Sequence, residues 1–253
     1  MPLEAPIAPA AERAADLNRR YRHHGATAVL ENALSDPLVG CTALVSSFGA
    51  ESVVLLHMIS VFDRSTPVLF IDTEMLFAET LAYQADVAET LSLTDVRILY
   101  PDREQVFLRD PDGLLHGADP DACCALRKTE TLQAALTPFE AWITGRKRFQ
   151  GGQRTALEFF EAEPGAGRIK VNPLAHWDKT DVQDYIVNNR LPRHPLVPRG
   201  YPSLGCAPCT TRVPFGEEDR SGRWRGRDKD DCGIHFKDGK AMRGAAPAAP
   251  GVG

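Results

Sequence analysis

The chain has 253 residues, of which 43% are hydrophobic and 25% charged, with a formal net charge of −5. This balance disfavours a nucleic-acid-binding protein, although local basic patches remain possible. The longest apolar stretch, residues 53–62, is far shorter than the roughly 20 residues of a membrane span. The sequence opens without a basic and apolar leader, so we expect a cytoplasmic protein that contacts neither membrane nor nucleic acid.

Hydrophobic periodicity predicts alternating helices and strands along the first three quarters of the chain. The predicted helices are 11–34, 51–62, 75–93, 125–136 and 178–189. The predicted strands are 41–46, 67–71, 96–100, 139–144 and 168–171, and the first two are apolar runs expected to be buried. Such alternation predicts an α/β fold with a parallel twisted sheet flanked by helices.

Composition divides the chain into four parts. Residues 1–36 are predicted to form an N-terminal helical region, and residues 37–200 an α/β domain. Frequent prolines after Leu191 exclude long regular elements, so 201–236 is predicted to be an irregular segment of that domain, rich in cysteine and arginine. Residues 237–253 are predicted to be a disordered tail.

A serine- and glycine-containing turn, residues 46–52, lies between a predicted strand and a predicted helix. Free N–H groups at a helix N-terminus favour an anion, and parallel sheets bind ligands at this edge. The turn has neither the lysine of a Walker A motif nor the spacing of a dinucleotide fingerprint. It is therefore a candidate ligand site or an ordinary connection.

Five of the six cysteines fall in patterns that suggest chemistry, while Cys41, in a predicted strand, is expected to be buried core. Cys123 and Cys124 are adjacent, and Cys206 and Cys209 form a C-x-x-C pair. Four thiolates satisfy a structural zinc ion or an iron–sulfur cluster, and spacing alone does not choose between these and buried reduced thiols.

A basic stretch precedes Cys232, with five cations in residues 220–229 opposed by one aspartate. A run of this kind is usually a solvated face. Nearby guanidinium groups also lower the pKa of a thiol, so Cys232 is a candidate nucleophile for an anionic substrate. The alternative is an incidental exposed cysteine.

Two further cationic features flank the predicted ligand edge. A basic cluster, residues 146–148, follows the predicted strand 139–144, at the edge of the sheet where an anion would bind. Lys128 lies one helical turn after Cys124, so it shares that cysteine's face and can offset the charge of a thiolate-ligated cluster or reach a substrate.

Seven pieces of sequence, spread over almost the whole chain, resemble the assimilatory adenylyl-sulfate (APS) reductases within the APS/PAPS reductase family. They are SSFGAES at 46–52, Asp72-Thr73, Cys123-Cys124 with Arg127, Lys128 and Glu130, Trp142 with Thr144-Gly145, Cys206 with Cys209, Gly222-Arg223-Trp224, and Cys232-Gly233-Ile234-His235. Asp231 stands where the family usually has Glu, and Lys147 where it usually has Arg.

The resemblance implies a PP-loop, adenine-nucleotide-hydrolase-like sheet and one four-iron, four-sulfur cluster. It implies thioredoxin-dependent reduction of APS to sulfite and AMP through an S-sulfocysteine, in sulfate assimilation and cysteine biosynthesis. The donor would be a separate thioredoxin or glutaredoxin-like protein, and the enzyme a homo-oligomer.

The resemblance also assigns residues. Cys232 would be the nucleophile, with His235 in support, and Cys123, Cys124, Cys206 and Cys209 would hold the cluster. The substrate-binding residues would be Ser46, Ser47, Phe48, Gly49, Lys128, Gly145, Lys147, Arg148, Arg220 and Arg223.

Three alternatives remain at this level. The substrate could be PAPS, although the resemblance favours APS because family members that use PAPS typically lack the paired cysteines. A PP-loop ATP pyrophosphatase, of the sulfurylase or tRNA-thiolation type, would leave the Cys232 signature unexplained. A zinc-stabilised nucleotide-binding module would be non-enzymatic.

Overall fold

The computed structural model describes residues 8–151, 154–163, 165–227, 229, 231, 233, 236–237 and 240–241. The strands are β1 (Thr42–Val45), β2 (Val68–Ile71), β3 (Val96–Leu99), β4 (Ala141–Ile143), β5 (Phe160–Ala162), β6 (Ile169–Val171), β7 (Phe236–Lys237) and β8 (Lys240–Ala241). The helices are α1 (Ala10–Tyr21), α2 (Ala26–Ala33), α3 (Val53–Phe62), α4 (Ala78–Thr90), α5 (Arg103–Arg109), α6 (Leu115–Ala118), α7 (Pro120–Cys124), α8 (Glu130–Ala135) and α9 (Lys179–Asn188). A π-helical turn, Ala125–Thr129, joins α7 to α8.

Six strands form one sheet in the order β3-β2-β1-β4-β6-β5. All are parallel except β5, which runs antiparallel to β6 at one edge. The central strand is β1, whose Leu44 pairs with Val68 of β2 and with Ile143 of β4. From β1 the chain proceeds outward to β2 and β3, then returns to the opposite side of β1 to begin β4. This reversal leaves a crevice at the carboxyl ends of β1 and β4, where open α/β sheets bind ligands.

Helices cover both faces of the sheet, and its central strands β1, β2 and β4 are therefore largely apolar on both sides. On β4, Ala141 and Ile143 belong to the larger core and Trp142 to the smaller one. The larger core also contains side chains of α1, α2, α3, α4 and α9. The smaller core contains Leu132 of α8. Successive residues of the strand therefore point to opposite layers, as the two-residue period of a strand requires.

Two expectations about individual elements are wrong. The single helix predicted over 11–34 is two helices, because Gly25 adopts an extended backbone (φ −75°, ψ 164°) immediately before α2. Cys41 is exposed rather than buried, because β1 begins one residue later and leaves Cys41 at the amino end of the sheet. The antiparallel strand β5 has no counterpart among the predicted elements.

The segment after α9 is irregular, as the prolines predict, with short 3-10 turns at Val197–Arg199 and Ala207–Cys209. Of the tail predicted to be disordered, 237–253, the structure describes Lys237, Lys240 and Ala241 in the antiparallel pair β7–β8. The remaining tail residues lie outside the described residues. No helix in the described ranges combines the length and apolar character needed to span a bilayer.

Candidate active site

A cavity of about 580 Å³ opens at the carboxyl ends of β1, β2 and β4. Ser46 follows β1, Ile71 ends β2 and Gly145 follows β4, and all three line the cavity. Its volume is typical of a site for a small organic ligand. The cavity therefore occupies the position that the reversal of strand order predicts.

The turn after β1 is held in shape by its own serines and by one buried aromatic ring. Ser46 Oγ accepts a hydrogen bond from the Phe48 N–H (3.2 Å), and Ser52 Oγ accepts one from the Gly49 N–H (3.0 Å). Phe48 has a left-handed φ of 46° and packs edge-on against Phe70, with ring centroids 5.2 Å apart. Phe48 thus anchors the turn in the core, while its neighbours line the cavity.

A carboxylate on this turn, that of Glu51, faces the cavity with a buried cation beside it. Lys147 Nζ donates to Glu51 Oε2 at 2.7 Å and to the Gly145 carbonyl at 3.0 Å. Burial lowers the pKa of Lys147, and the carboxylate of Glu51 opposes that shift. Because the charge of Lys147 is already matched by Glu51, the turn suits an uncharged portion of a ligand, such as a nucleoside, better than an anion.

Arg146, on the loop after β4, is likewise matched by a carboxylate. Its guanidinium forms an ion pair with Glu161 of β5 and donates to Asn172 Oδ1 at 3.1 Å. Burial lowers the pKa of Arg146, and Glu161 counters that effect. The turns after β1 and β4, with their paired charges, form what we call the sheet-side wall.

The opposite wall consists of the π-helical turn and residues 202–224, and we call it the cysteine-side wall. It presents three of the cations expected to bind substrate, namely Lys128, Arg220 and Arg223. Arg223 donates to the Leu204 carbonyl at 2.7 Å, and its guanidinium lies 4.4 Å from the centroid of the Trp224 ring. A Cβ on Gly205 would lie 2.2 Å from Arg223 Nη2, so this arrangement requires a glycine there.

All four cysteines expected to bind the cluster line a second, smaller space on this wall. None of them is in a disulfide, and Cys123, Cys124 and Cys206 are buried. Lys128, Arg223 and Trp224 line both this space and the larger cavity. The two sites are therefore adjacent and share these three side chains. No group of three or more metal-binding side chains in the described ranges has the geometry of a site for one metal ion.

The two adjacent cysteines, Cys123 and Cys124, both line this space at the end of α7. Neighbouring side chains on an α-helix point about 100° apart, so the two thiols approach the space from different directions. Here α7 ends at Cys124 and the wider π turn follows at once. Arg127 of this turn bonds Asp110 Oδ2 at 2.8 Å and the Thr73 carbonyl at 3.0 Å. These buried contacts fix the turn against the loop after β2.

The same loop after β2 holds the second pair of cysteines. The Ala207 N–H donates to the Met75 carbonyl at 2.8 Å, and Thr73 Oγ1 lies 3.2 Å from Cys206 Sγ. The Trp224 N–H donates to the Cys209 carbonyl at 3.1 Å, which attaches the segment that carries Arg223 to the second cysteine pair. Segments far apart in sequence thus converge through backbone contacts that the sequence pattern does not reveal.

The thiols differ in how easily they ionise. Burial raises the pKa of Cys123 to about 11, and the neighbouring Cys206 adds to the shift. Burial also opposes ionisation of Cys206, but Lys128, Thr73 and Arg223 outweigh it, so the pKa of Cys206 is lowered. Four clustered thiols, three of them buried and with Lys128 and Arg223 beside them, suit a group that binds thiolates and carries negative charge.

The stretch that leads to Cys232 crosses the cysteine-side wall. Arg227 donates to the His116 carbonyl, Lys229 pairs with Asp121, and Asp231 lines the large cavity. The two residues expected to carry the chemistry, Cys232 and His235, lie outside the described residues.

Eight of the ten expected substrate-binding residues line the cavity: Ser46, Ser47, Gly49, Lys128, Gly145, Lys147, Arg220 and Arg223. Phe48 is in the core, as described above. Arg148 points elsewhere, donating to the Leu157 carbonyl at 2.7 Å and to Glu158 at 3.2 Å. In the extended backbone that precedes it, Lys147 and Arg148 face opposite ways, so only one can reach the cavity. Sequence reasoning missed Glu51 and Arg154, which also line it and become recognisable only through their partners.

Comparison with known proteins agrees with this geometry. The model of the family described as "Phosphoadenosine phosphosulfate reductase domain" matches residues 42–212. The chain belongs to this family. It is 46% identical to the adenosine 5'-phosphosulfate reductase of Mesorhizobium japonicum over 89% of this chain and 88% of that one. It is 44% identical to the protein of the same name from Chelativorans sp., over 97% and 98% of the two chains.

A solved structure of the family supports the fold. The phosphoadenylyl-sulfate (PAPS) reductase of Candida auris, in a phosphate complex, superposes with a TM-score of 0.69 at 29% identity, covering 83% of this chain and all of that one. The expected α/β class and the resemblance to the APS/PAPS reductases are therefore confirmed. The chain is a member of a family of enzymes that reduce activated sulfate.

Proposed function

We propose that this protein reduces APS to sulfite and AMP with electrons from a thioredoxin. The observation that carries the proposal is the wall shared by the two sites, since Lys128, Arg223 and Trp224 line both the cavity and the space among the four cysteines. A nucleotide-sized cavity beside four thiols, three of them buried, fits a nucleotide substrate with an anionic end. The names of its relatives from Mesorhizobium japonicum and Chelativorans sp. support APS as that substrate.

The two walls divide the substrate between them. The sheet-side wall, with its cations already paired, takes the adenosine. The cysteine-side wall takes the phosphate–sulfate portion, because Lys128, Arg220 and Arg223 line it. Cations fixed at the oxygens that gain charge during sulfonyl transfer stabilise the transition state.

The cysteine donor set fits an iron–sulfur cluster held by Cys123, Cys124, Cys206 and Cys209. Thiolates are the ligands of a four-iron, four-sulfur cluster, and the cationic side chain of Lys128 offsets the charge such a group brings. When bound, the cluster would act on the substrate site electrostatically, without changing its oxidation state. Lys128 and Arg223 are placed to hold the sulfate end against this site.

The chemistry proceeds in two transfers. The thiolate of Cys232 attacks the sulfur of APS, the bond from that sulfur to the bridging oxygen breaks, and AMP leaves with the electron pair. The enzyme then carries an S-sulfonated cysteine. A thiolate of the donor attacks the Cys232 sulfur, and sulfite leaves with the sulfur–sulfur bonding pair. The second donor thiolate then attacks the donor sulfur of the resulting mixed disulfide, which forms the donor's disulfide and releases the Cys232 thiolate. The dithiol thus supplies both electrons.

Sulfite release tests the proposal most directly. The purified protein should release sulfite from APS when reduced thioredoxin is supplied, and mass spectrometry without a donor should show one added SO₃ on Cys232. Cys232→Ser should bind AMP normally and release no sulfite. Turnover by that variant, or an SO₃ on another cysteine, would refute the assigned nucleophile.

PAPS is the second candidate substrate, because the family description and the Candida auris protein both name it. Parallel assays with APS and PAPS at equal concentration separate the two, and we expect a higher kcat/KM for APS. A higher value for PAPS would reverse the assignment while leaving the reaction type intact. The family membership favours either reductase over an ATP pyrophosphatase.

The cofactor is tested by metal content and colour. Wild-type protein purified without oxygen should be brown and carry four irons and four acid-labile sulfides per chain. Cys206→Ser should lose most of both, whereas Cys41→Ser, which removes an exposed cysteine away from the site, should lose neither. A colourless protein that contains zinc would contradict the cluster. Four expectations stay predictions: that the enzyme is a homo-oligomer, that a glutaredoxin-like protein can be the donor, that the protein is cytoplasmic, and that it serves cysteine biosynthesis.

A further inference from the structure

Arg154 joins two parts of the cavity wall through its guanidinium. Its Nη1 donates to Gln150 Oε1 at 2.6 Å, and its Nη2 forms an ion pair with Asp231 Oδ2 at 2.7 Å. The amide of Gln150 in turn lies 3.5 Å from Glu51 Oε2, on the turn after β1. All four side chains line the cavity. A polar connection therefore runs from the sheet-side wall to the residue before Cys232.

Asp231 also fixes the backbone that follows it. Its Oδ1 accepts a hydrogen bond from the Gly233 N–H at 3.1 Å. The Gly233 carbonyl accepts one from Thr129 Oγ1, on the π-helical turn, at 3.4 Å. The residues on either side of Cys232 are thus attached to the protein, one through Arg154 and the other through Thr129.

The ion pair is partly withdrawn from water, since the side chain of Arg154 is 15% exposed and that of Asp231 is 26% exposed. Fully exposed pairs contribute little, because solvent screens them and both side chains lose freedom. Burial and the second carboxylate contact to Gly233 make this pair better suited to hold a defined geometry. Its value would lie in orientation rather than in global stability.

We propose that Arg154 is a positioning residue that holds the Cys232 segment against bound nucleotide for sulfonyl transfer. The inference rests on the proposed function and adds a role for a side chain outside the expected substrate contacts. Attack on a bound nucleotide requires the thiolate to be aligned inside the cavity. The later attack by the donor takes place on a sulfonated cysteine that a second protein must reach, so it does not need this ion pair.

The test separates the two half-reactions. In single-turnover mixing with APS and no donor, Arg154→Ala should gain SO₃ about ten- to a hundred-fold more slowly than wild type, as expected for a misaligned nucleophile. Sulfite release by a dithiol from enzyme that was sulfonated beforehand should change less than about two-fold, and so should AMP affinity. Arg199→Ala removes an ion pair of equal length, 2.7 Å to Glu79, outside the cavity, and should leave both half-reactions unchanged.

Variants of Asp231, the ion-pair partner of Arg154, show whether an effect comes from the ion pair or from misfolding. Asp231→Glu retains the carboxylate and should retain most of the sulfonation rate, whereas Asp231→Asn should resemble Arg154→Ala. The double variant Arg154→Ala/Asp231→Asn should be no slower than either single one. Alkylation of Cys232 by N-ethylmaleimide at fixed pH, followed by peptide mass spectrometry, should be faster in Arg154→Ala because the segment is no longer held.

The outcomes distinguish this inference from the proposed function. If wild-type protein gains no SO₃ from APS, the proposed function is wrong. If wild type is sulfonated and Arg154→Ala reacts at the same rate, the positioning role is wrong. An equal loss in both half-reactions, with unchanged alkylation, would assign Arg154 a general structural role and would also overturn the inference.

Discussion

The cations of the sheet-side wall and Arg223 of the cysteine-side wall have different kinds of partner. On the sheet side, Lys147 and Arg146 each lie against a carboxylate, Glu51 and Glu161. On the cysteine side, Arg223 donates to a backbone carbonyl, lies against the ring of Trp224, and helps to lower the pKa of Cys206. Cations paired with a carboxylate have their charge matched and hold loops in place, whereas Arg223 forms no ion pair with a carboxylate of the described residues and keeps its charge for the thiolates or a ligand. The number of basic residues near a site therefore says less than the identity of their partners.

The largest predicted effect is a pH dependence of stability caused by Lys170, a buried lysine near the sheet-side wall. This lysine of β6 is buried, and its ammonium lies 5.4 Å from the centroid of the Trp142 ring. Burial lowers the pKa of Lys170 from 10.5 to about 8, and Arg146 adds to the shift. The folded state binds this proton less tightly than the unfolded chain, so stability is lowest below about pH 8 and rises toward pH 10.5.

Lys170→Met should remove that rise. The difference in unfolding free energy between wild type and variant should change by up to about 3 kcal/mol between pH 7 and 10.5 in favour of wild type. Urea denaturation at several pH values measures it. Lys179→Met, at a lysine that is 52% exposed, serves as the control and should show no such change. Parallel profiles for wild type and Lys170→Met would show that the lysine is not held in a low-polarity environment.

The second effect concerns the cysteine-side wall and uses Gly205. Gly205→Ala places a methyl group where the guanidinium of Arg223 lies, and the flexible end of that side chain can move away without unfolding the protein. We expect APS to bind about ten- to a hundred-fold more weakly, the value of a lost charge-assisted contact, with adenosine binding nearly unchanged.

Calorimetry with APS and adenosine measures both affinities. Arg223→Ala should behave in the same way, and the thermal stability of Gly205→Ala should stay close to that of wild type. Equal losses for the two ligands would place Arg223 near the nucleoside instead and would remove the proposed division between the walls.

The smallest effect is expected at Arg148, which the resemblance assigns to substrate but whose contacts are Leu157 and Glu158, away from the cavity. Arg148→Ala should lower kcat/KM for APS by less than about two-fold, because an exposed pair of this kind contributes little. Steady-state sulfite release measures it, with Lys128→Ala as the variant expected to lose most activity. A loss at Arg148 comparable to that at Lys128 would show that the arginine reaches the ligand.

Local sequence was enough for the elements that build the scaffold. The apolar runs at 41–46, 67–71 and 139–144 correspond to β1, β2 and β4, because a buried parallel strand needs apolar residues on both faces, and the run at 96–100 corresponds to the more exposed β3. Local sequence failed for β5, because the three residues Phe160–Ala162 are too few to show a recognisable hydrophobic pattern. The pairing of β5 with β6 depends on the sheet already present.

Sequence by itself also determined which residues of the site could do chemistry: the paired cysteines, the basic stretch, and the turn after β1. The tertiary structure alone decided which of them meet. Lys147 forms an ion pair with Glu51, 96 residues away in sequence, whereas Arg148 bonds the Leu157 carbonyl outside the cavity. Cys206 lines the same space as Cys123 and Cys124, and both segments contact the loop after β2. The reason is physical, because residue type sets what a side chain can bind, whereas its partner and its exposure depend on how distant segments pack.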